Sequence, residues 1–215
     1  DQWSLASVLG RINYAFNDKY LATFTLRADG SSRFGEGNKW GYFPSAALGW
    51  NIANEPFFRN VKSITNLKAR LSAGVTGNQS IPTYQSLSQL GYFRYSFSNT
   101  TVSGYAPTTV PNPLLSWEKT LQIDFGVDFG LFNNRIQVVA DYYYKKTTDL
   151  LLTRTVPGTS GLADASAGQL ASIYQNIGAV LNKGVELSVN SRNLTGDLKW
   201  NTIFIFSNNK NEILS

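Results

Sequence analysis

From Trp117 to Leu131 the chain reads WEKTLQIDFGVDFGL, and its apolar side chains fall on alternate positions. Trp117, Leu121, Ile123, Phe125, Val127, Phe129 and Leu131 share one side, interrupted only by Lys119. Glu118, Thr120, Gln122, Asp124, Gly126, Asp128 and Gly130 share the other. A period of two predicts an extended strand with one apolar and one polar face. Its length exceeds the roughly five or six residues usual in soluble proteins.

The same alternation recurs seven more times. The segments lie around Ala6–Phe16, Tyr20–Asp29, Tyr42–Ile52, Leu67–Thr76, Arg135–Lys145, Val185–Asn190 and Leu198–Phe206, where Ile203 and Ile205 blur the pattern. The prediction is eight antiparallel strands. Between them, Asn17–Lys19, Phe132–Asn134 and Leu194–Gly196 are tight turns. Gly30–Gly41, Gly77–Ser116 and Leu150–Asn182 are long loops. Asn54–Asn66 is intermediate, and its NEPFFRNV suggests a short helical turn. In an up-and-down sheet alternate connections share an end, so tight turns gather at one end and large loops at the other. Outer-membrane barrels have this asymmetry. Aromatics cluster toward both ends. Tyr14, Phe16, Tyr20, Trp50, Phe129 and Trp200 lie near the tight turns; Trp40, Tyr42, Trp117, Tyr142 and Tyr144 lie near the long loops. Two interfacial belts have this appearance.

Composition narrows the chemistry. The 215 residues include no His and no Cys, which removes a Ser-His-Asp triad, a disulfide and thiolate or imidazole metal sites. No enzyme and no cofactor is expected. The net charge of +5 is scattered, not clustered, so no nucleic-acid surface is expected. No apolar run reaches the roughly 18 residues of a membrane helix. Asp124 and Asp128 stand four residues apart on one face, about 13 Å along a strand. A glycosidase pair needs them closer. Gly35-Glu36-Gly37 is followed by Trp40, so a dinucleotide fingerprint fails.

Alternation alone also suits a soluble sandwich. Three features turn the reading to a transmembrane barrel: strands long enough to cross a bilayer, charges of both signs in mid-strand (Arg70, Asp124, Asp128, Glu186), and loop lengths sorted by end.

The block Arg27–Trp50, RADGSSRFGEGNKWGYFPSAALGW, strongly resembles a segment of SusC/RagA-like TonB-linked outer-membrane transporters. NIANEPFF at Asn51–Phe58, LKARLSAGVTG at Leu67–Gly77, WEKT at Trp117–Thr120, FGVD at Phe125–Asp128, DYYYKKTTDLL at Asp141–Leu151, Asn176-Ile177-Gly178 and NKGVE at Asn182–Glu186 follow in that family's order. The resemblance implies an all-β segment of about eight strands from an up-and-down barrel of about 22, with a plugged lumen. It implies energy from TonB, a SusD-like lipoprotein lid, and import of oligosaccharides or peptides. The plug, the TonB-contacting segment and the remaining strands are expected to lie outside this chain. Under this reading Arg11, Arg27, Arg70, Glu118, Asp124, Asp128, Asp141 and Glu186 line the lumen and meet the plug. Tyr92, Phe93, Tyr95, Tyr105 and Tyr174, in the large loops, are candidates for stacking on substrate or packing on the lid. Trp117, Ile123, Phe125 and Phe129 are expected to face lipid. A soluble all-β carbohydrate-binding module and a passive porin are the other readings.

Overall fold

The computed structural model describes residues 2–58, 61, 63–162 and 171–214. Parts of two expected connections, at 59, 60 and 62 and at 163–170, lie outside the described residues. Among the described residues twelve strands follow one another: β1 (Leu5–Phe16), β2 (Tyr20–Ser31), β3 (Trp40–Asn51), β4 (Ile64–Asn78), β5 (Leu90–Phe97), β6 (Thr100–Pro107), β7 (Glu118–Leu131), β8 (Ile136–Thr148), β9 (Leu151–Thr155), β10 (Ser172–Asn176), β11 (Ala179–Thr195) and β12 (Lys199–Ile213). Eight of them form one antiparallel sheet in the order β1-β2-β3-β4-β7-β8-β11-β12. These are the eight predicted strands, 12 residues long in β1 and 17 in β11. Two long loops hold more order than their sequence suggested, because β5 pairs with β6 and β9 with β10. The short helical turn expected in NEPFFRNV appears as the 3-10 turn Pro56–Phe58, and a further one, Ile52–Asn54, precedes it.

The tight turns have a local cause. Asn17 and Asp18 adopt φ of 51° and 53°. Two successive left-handed residues match the twist of a hairpin, and Asn and Asp tolerate them best.

Pairing fixes which side chains share a face. One row crosses the whole sheet: Ala15, Leu21, Gly49, Arg70, Gly126, Asp141, Glu186 and Ser207. In β1 this row lies beside the tight turn, since Phe16 ends the strand. In β12 it lies far from the tight turn, since that strand begins at Lys199. The turns therefore step past the row by about one residue per strand. That stagger belongs to strands inclined to a barrel axis by about 35–45°.

The apolar face stays open. Val8 and Ile12 are each 69% exposed, and Phe24, Leu48, Phe125 and Phe204 are also exposed. A sandwich would cover such a face with a second sheet. Among the described residues no helix is long and apolar enough to cross a membrane; this says nothing of strands. The buried core sits at the long-loop end: Phe34, Phe43, Ile81, Leu115 and Trp117, with Leu151 and Tyr174 packed against it.

Trp117 departs from expectation. The ladder begins only at Glu118, so the alternation does not hold Trp117 to the apolar side. Its ring packs against Phe34 and Phe43 at centroid distances of 5.3 and 5.4 Å, and Nε1 donates to the Lys39 carbonyl at 3.0 Å. Phe43 lies opposite Arg27 on the polar face. Trp117 thus caps the loop core and does not face lipid; Ile123, Phe125 and Phe129 keep the apolar side.

Candidate functional site: the polar wall and its loops

The polar face brings most of the candidate charges onto one surface, and Arg70 is its hub. Gly49 and Gly126 oppose Arg70 on its two flanking strands, so the guanidinium lies over bare backbone. A Cβ at Gly126 would come within 2.8 Å of Arg70 Nη2 and would collide with the Asp141 carboxylate. Arg70 Nε donates to both Asp128 oxygens at 3.2 and 3.1 Å. Its Nη2 donates to Asp128 at 2.8 Å and to Asp141 at 3.0 Å. This planar fork suits two carboxylates held on neighbouring strands.

The other polar-face candidates are distributed around this hub. Asp124 accepts from Ser72 Oγ at 3.2 Å and from Gln122 Nε2 at 2.9 Å. Glu186 stands directly opposite Asp141 on the polar face, a like-charge pair of which Asp141 is met by Arg70. Arg27 Nε donates to the buried Asp29 at 2.7 Å. Arg11 Nε donates to Thr25 at 3.1 Å. Glu118 ties the rim, accepting from Asn78 Nδ2 and from the Leu151 backbone N–H, each at 3.2 Å. Asp124, Asp128, Asp141 and Glu186 therefore outnumber the cations among them, Arg70, Lys68 and Lys145, which share the polar face.

In R70Q, Asp128 and Asp141 lose their shared counter-charge. These side chains are a quarter to two-fifths exposed, so water screens the loss. The expected destabilisation is about 1–2 kcal/mol, below the cost of breaking a fully buried pair. Adding D141N should restore part of it. A double-mutant cycle on thermal unfolding checks this, and strictly additive effects would refute the coupling.

In the loops, Tyr92 and Tyr105 form a cross-strand pair on the β5–β6 hairpin, ring centroids 5.9 Å apart and edge to face. Tyr92 Oη lies 2.7 Å from Ser103 Oγ, and Arg94 Nε donates to it at 3.4 Å. These bonds lower the Tyr92 pKa, Ser103 contributing most. Tyr95 is exposed on the other side of the hairpin with the half-buried Phe93. Tyr174 sits apart from them, partly buried against the loop core.

Phe43 was missed by the sequence reading, being an aromatic at a polar-face position. Its signal is two glycines: Gly41 and Gly77 both leave room that the Phe43 ring fills. A second missed cluster lies in the β3–β4 connection. Glu55 accepts from Tyr20 Oη at 2.7 Å, Trp50 Nε1 at 3.1 Å and Lys19 Nζ at 3.0 Å. These donors hold its pKa below the usual range, the Tyr20 bond first. A depressed folded pKa gives stability that is present above the unfolded value and lost as pH falls through the folded one. E55Q should therefore lower the thermal midpoint at pH 7, and the gap from the parent should close on acidification below about pH 4. A pH-independent gap would exclude the charge as the cause.

Three comparisons bear on this geometry. Residues 1–212 match the family described as TonB dependent receptor-like, beta-barrel. The chain is 43% identical to TonB-dependent receptor P3 of Formosa agariphila over 215 residues, all of this chain and 21% of that protein. It is 41% identical to TonB-dependent receptor SusC of Bacteroides thetaiotaomicron over 218 residues, 98% of this chain and 21% of that protein. The solved structure of the RagAB peptide transporter superposes with a TM-score of 0.86 at 32% identity, covering 98% of this chain and 22% of that one. The chain thus spans about a fifth of the length of its relatives. The single open-faced sheet, its staggered turns and these matches agree: the chain belongs to the TonB-dependent receptor family and forms part of an outer-membrane β-barrel.

Proposed function

We propose that this segment forms part of the wall of an outer-membrane importer of oligosaccharides or peptides, energised through TonB and closed by a SusD-like lipoprotein lid. The observation that carries this reading is the polar wall. A passive pore needs a wall that water and solutes can pass. Here Asp124, Asp128, Asp141 and Glu186 crowd around Arg70, which bridges Asp128 and Asp141, while Glu186 beside Asp141 makes no ion pair among the described residues. Like charges directly opposite in a sheet are unfavourable unless a third group neutralises them. Arg70 meets Asp141, and a basic plug segment seated in the lumen supplies the partner for Glu186. The exposed pair Tyr92 and Tyr105, with Tyr95, offers rings for a sugar or a lid surface, while Arg11 and Arg27 extend the wall toward the loops. The names of the relatives support this reading: one is SusC, another a chain of a peptide transporter.

The test is uptake by the full-length protein in hosts with and without TonB, supplied with labelled oligosaccharide or peptide pools. Uptake should fall to background without TonB. Uptake of equal rate in both hosts would make the protein a passive pore.

A further inference from the structure

The apolar face of the sheet carries very few charges, and their placement is not random. Through β1, β2, β3 and β4 every apolar-face position is uncharged. On the next four strands the charged residues of that face are Lys119 in β7, Lys146 in β8, Lys183 in β11, and Lys210 with Glu212 in β12. Each of these four strands contributes one lysine, and all lie toward the long-loop end.

The pairing shows that they form one level. Lys119 pairs with Thr148, two residues loopward of Lys146. Lys146 pairs with Leu181, two residues loopward of Lys183. Lys183 pairs directly with Lys210. The lysines step down the sheet in the same sense as the tight turns, whose stagger marks the inclination of the strands. A line parallel to the membrane crosses inclined strands along such a diagonal. The opposite edge of the apolar band keeps the same interval: Phe129, Ile136 and Trp200 each lie ten positions from the lysine of their own strand. Ten residues of a strand inclined about 40° rise roughly 26 Å, the height of a barrel's lipid-facing band. The lysines therefore stand at the outer rim of that band, and no lysine or arginine of the apolar face stands at the inner rim among the described residues.

We propose that Lys119, Lys146, Lys183 and Lys210 form a binding site on the outer wall for the phosphates of a lipid headgroup in the external leaflet. Lysines that only snorkel to water have no reason to occupy four adjacent strands at one rim and none at the other. Successive lysines from Lys119 to Lys183 stand one strand and two residues apart, about 8 Å between Cα atoms. Long stems with compact ammonium heads let neighbours converge on one phosphate group. The patch is cationic in sum. Glu212 is the single carboxylate on this face of the four strands, and it pairs with Lys210. Lys119, Lys146 and Lys183 make no ion pair among the described residues.

The site rests on the barrel placement and its orientation, not on the cargo. The test uses the full-length receptor that contains this segment, purified in nonionic detergent and titrated by native mass spectrometry. The probes are bis-phosphorylated lipid A and the same lipid with its phosphates removed. The parent should hold the phosphorylated form at least about tenfold more tightly. The quadruple change K119Q/K146Q/K183Q/K210Q should abolish that preference. The quadruple Lys-to-Arg variant should keep it, and K199Q, at the tight-turn end of β12, should not alter it. Millimolar inorganic phosphate should not displace the lipid. Equal binding of the two lipids by the parent, an unchanged preference in the quadruple glutamine variant, or full displacement by free phosphate would each overturn the site. Should that variant not assemble, K146Q and K183Q singly should each weaken the phosphorylated lipid about two- to fivefold, and no weakening would equally overturn it. Uptake is not read in this experiment, so an idle importer that still prefers the phosphorylated lipid separates this site from the transport reading.

Discussion

Trp117→Ala should cost the barrel about 3–5 kcal/mol, the range for removing a large aromatic from a packed core. Trp117 is 4% exposed and touches both Phe34, at 1%, and Phe43, at 6%. Its loss opens a cavity among side chains that come from three separate stretches, so no single loop can collapse to fill it. The Lys39 carbonyl also loses its indole donor. The readouts are the temperature at which the full-length barrel loses its heat-modifiable gel migration, and the rate of proteolysis between Gly77 and Ser116. The first should fall and the second should rise. Trp117→Phe should retain most of the packing but not the hydrogen bond, and so fall between parent and alanine. Gly77→Val attacks the same core from the other side, because its Cβ would collide with the Phe43 ring and push it off Trp117. A lipid-facing Trp117 would predict the opposite pattern, a modest change in midpoint and an unaltered loop. Those two results together would restore the reading that alternation alone suggests.

The error at Trp117 shows where sequence periodicity stops being informative. From Lys119 to Leu131 each residue is held by two neighbouring ladders, Glu118 is held by one, and there the period of two assigned every face correctly. One residue earlier the ladder is gone, and burial of a large ring decides instead. Phe43 fails for the converse reason. It is inside β3, its face is polar, and only the glycines at 41 and 77 on adjoining positions reveal that a ring is tolerated there. Such partners are distant in sequence, so a single strand cannot display them. The family block Arg27–Trp50 was legible as words, and the structure supplies their physics. Asp29 and Ser31 are buried, Ser31 N–H donates to the Lys39 carbonyl, and Arg33 reaches the Gln79 carbonyl. Phe34 and Phe43 from this block hold the core that Trp117 completes. The Arg70 hub was half legible. Its members were chosen as charges on one face, but which charges touch depends on register, and register is set by pairing across strands that lie far apart in the chain. The hairpin β5–β6 was not legible as a hairpin, because Ser98 and Asn99 make its turn with φ of 50° and 62° in place of the commoner glycine pair.

The 215-residue chain alone should not form a stable monomeric membrane barrel. Among the described residues β1 pairs only with β2, and β12 only with β11, so each leaves one edge of its backbone open. These edges are 12 and 15 residues long. About half of the N–H and C=O groups of each strand point toward the missing neighbour. In hydrocarbon each unmet group costs several kcal/mol. The total is tens of kcal/mol, well above the roughly 5–15 kcal/mol of net stability that folded domains possess. Closing the sheet on itself would join β1 to β12 but would crowd Arg70, Asp128, Asp141 and Glu186, with Arg11, Arg27, Lys68 and Lys145, into the interior of an eight-stranded barrel, which is only wide enough for side chains to fill. The isolated chain refolded into detergent should therefore migrate identically on gels whether heated or not, and should sediment as a mixture of associated species. The absence of cysteine allows a direct check, since one cysteine placed in β1 and one in β12 are the only thiols present. Their failure to cross-link within a monomer agrees with the open edges. A monodisperse, heat-modifiable monomer that cross-links β1 to β12 would show that this stretch closes by itself, and would replace the wall segment by a small independent barrel.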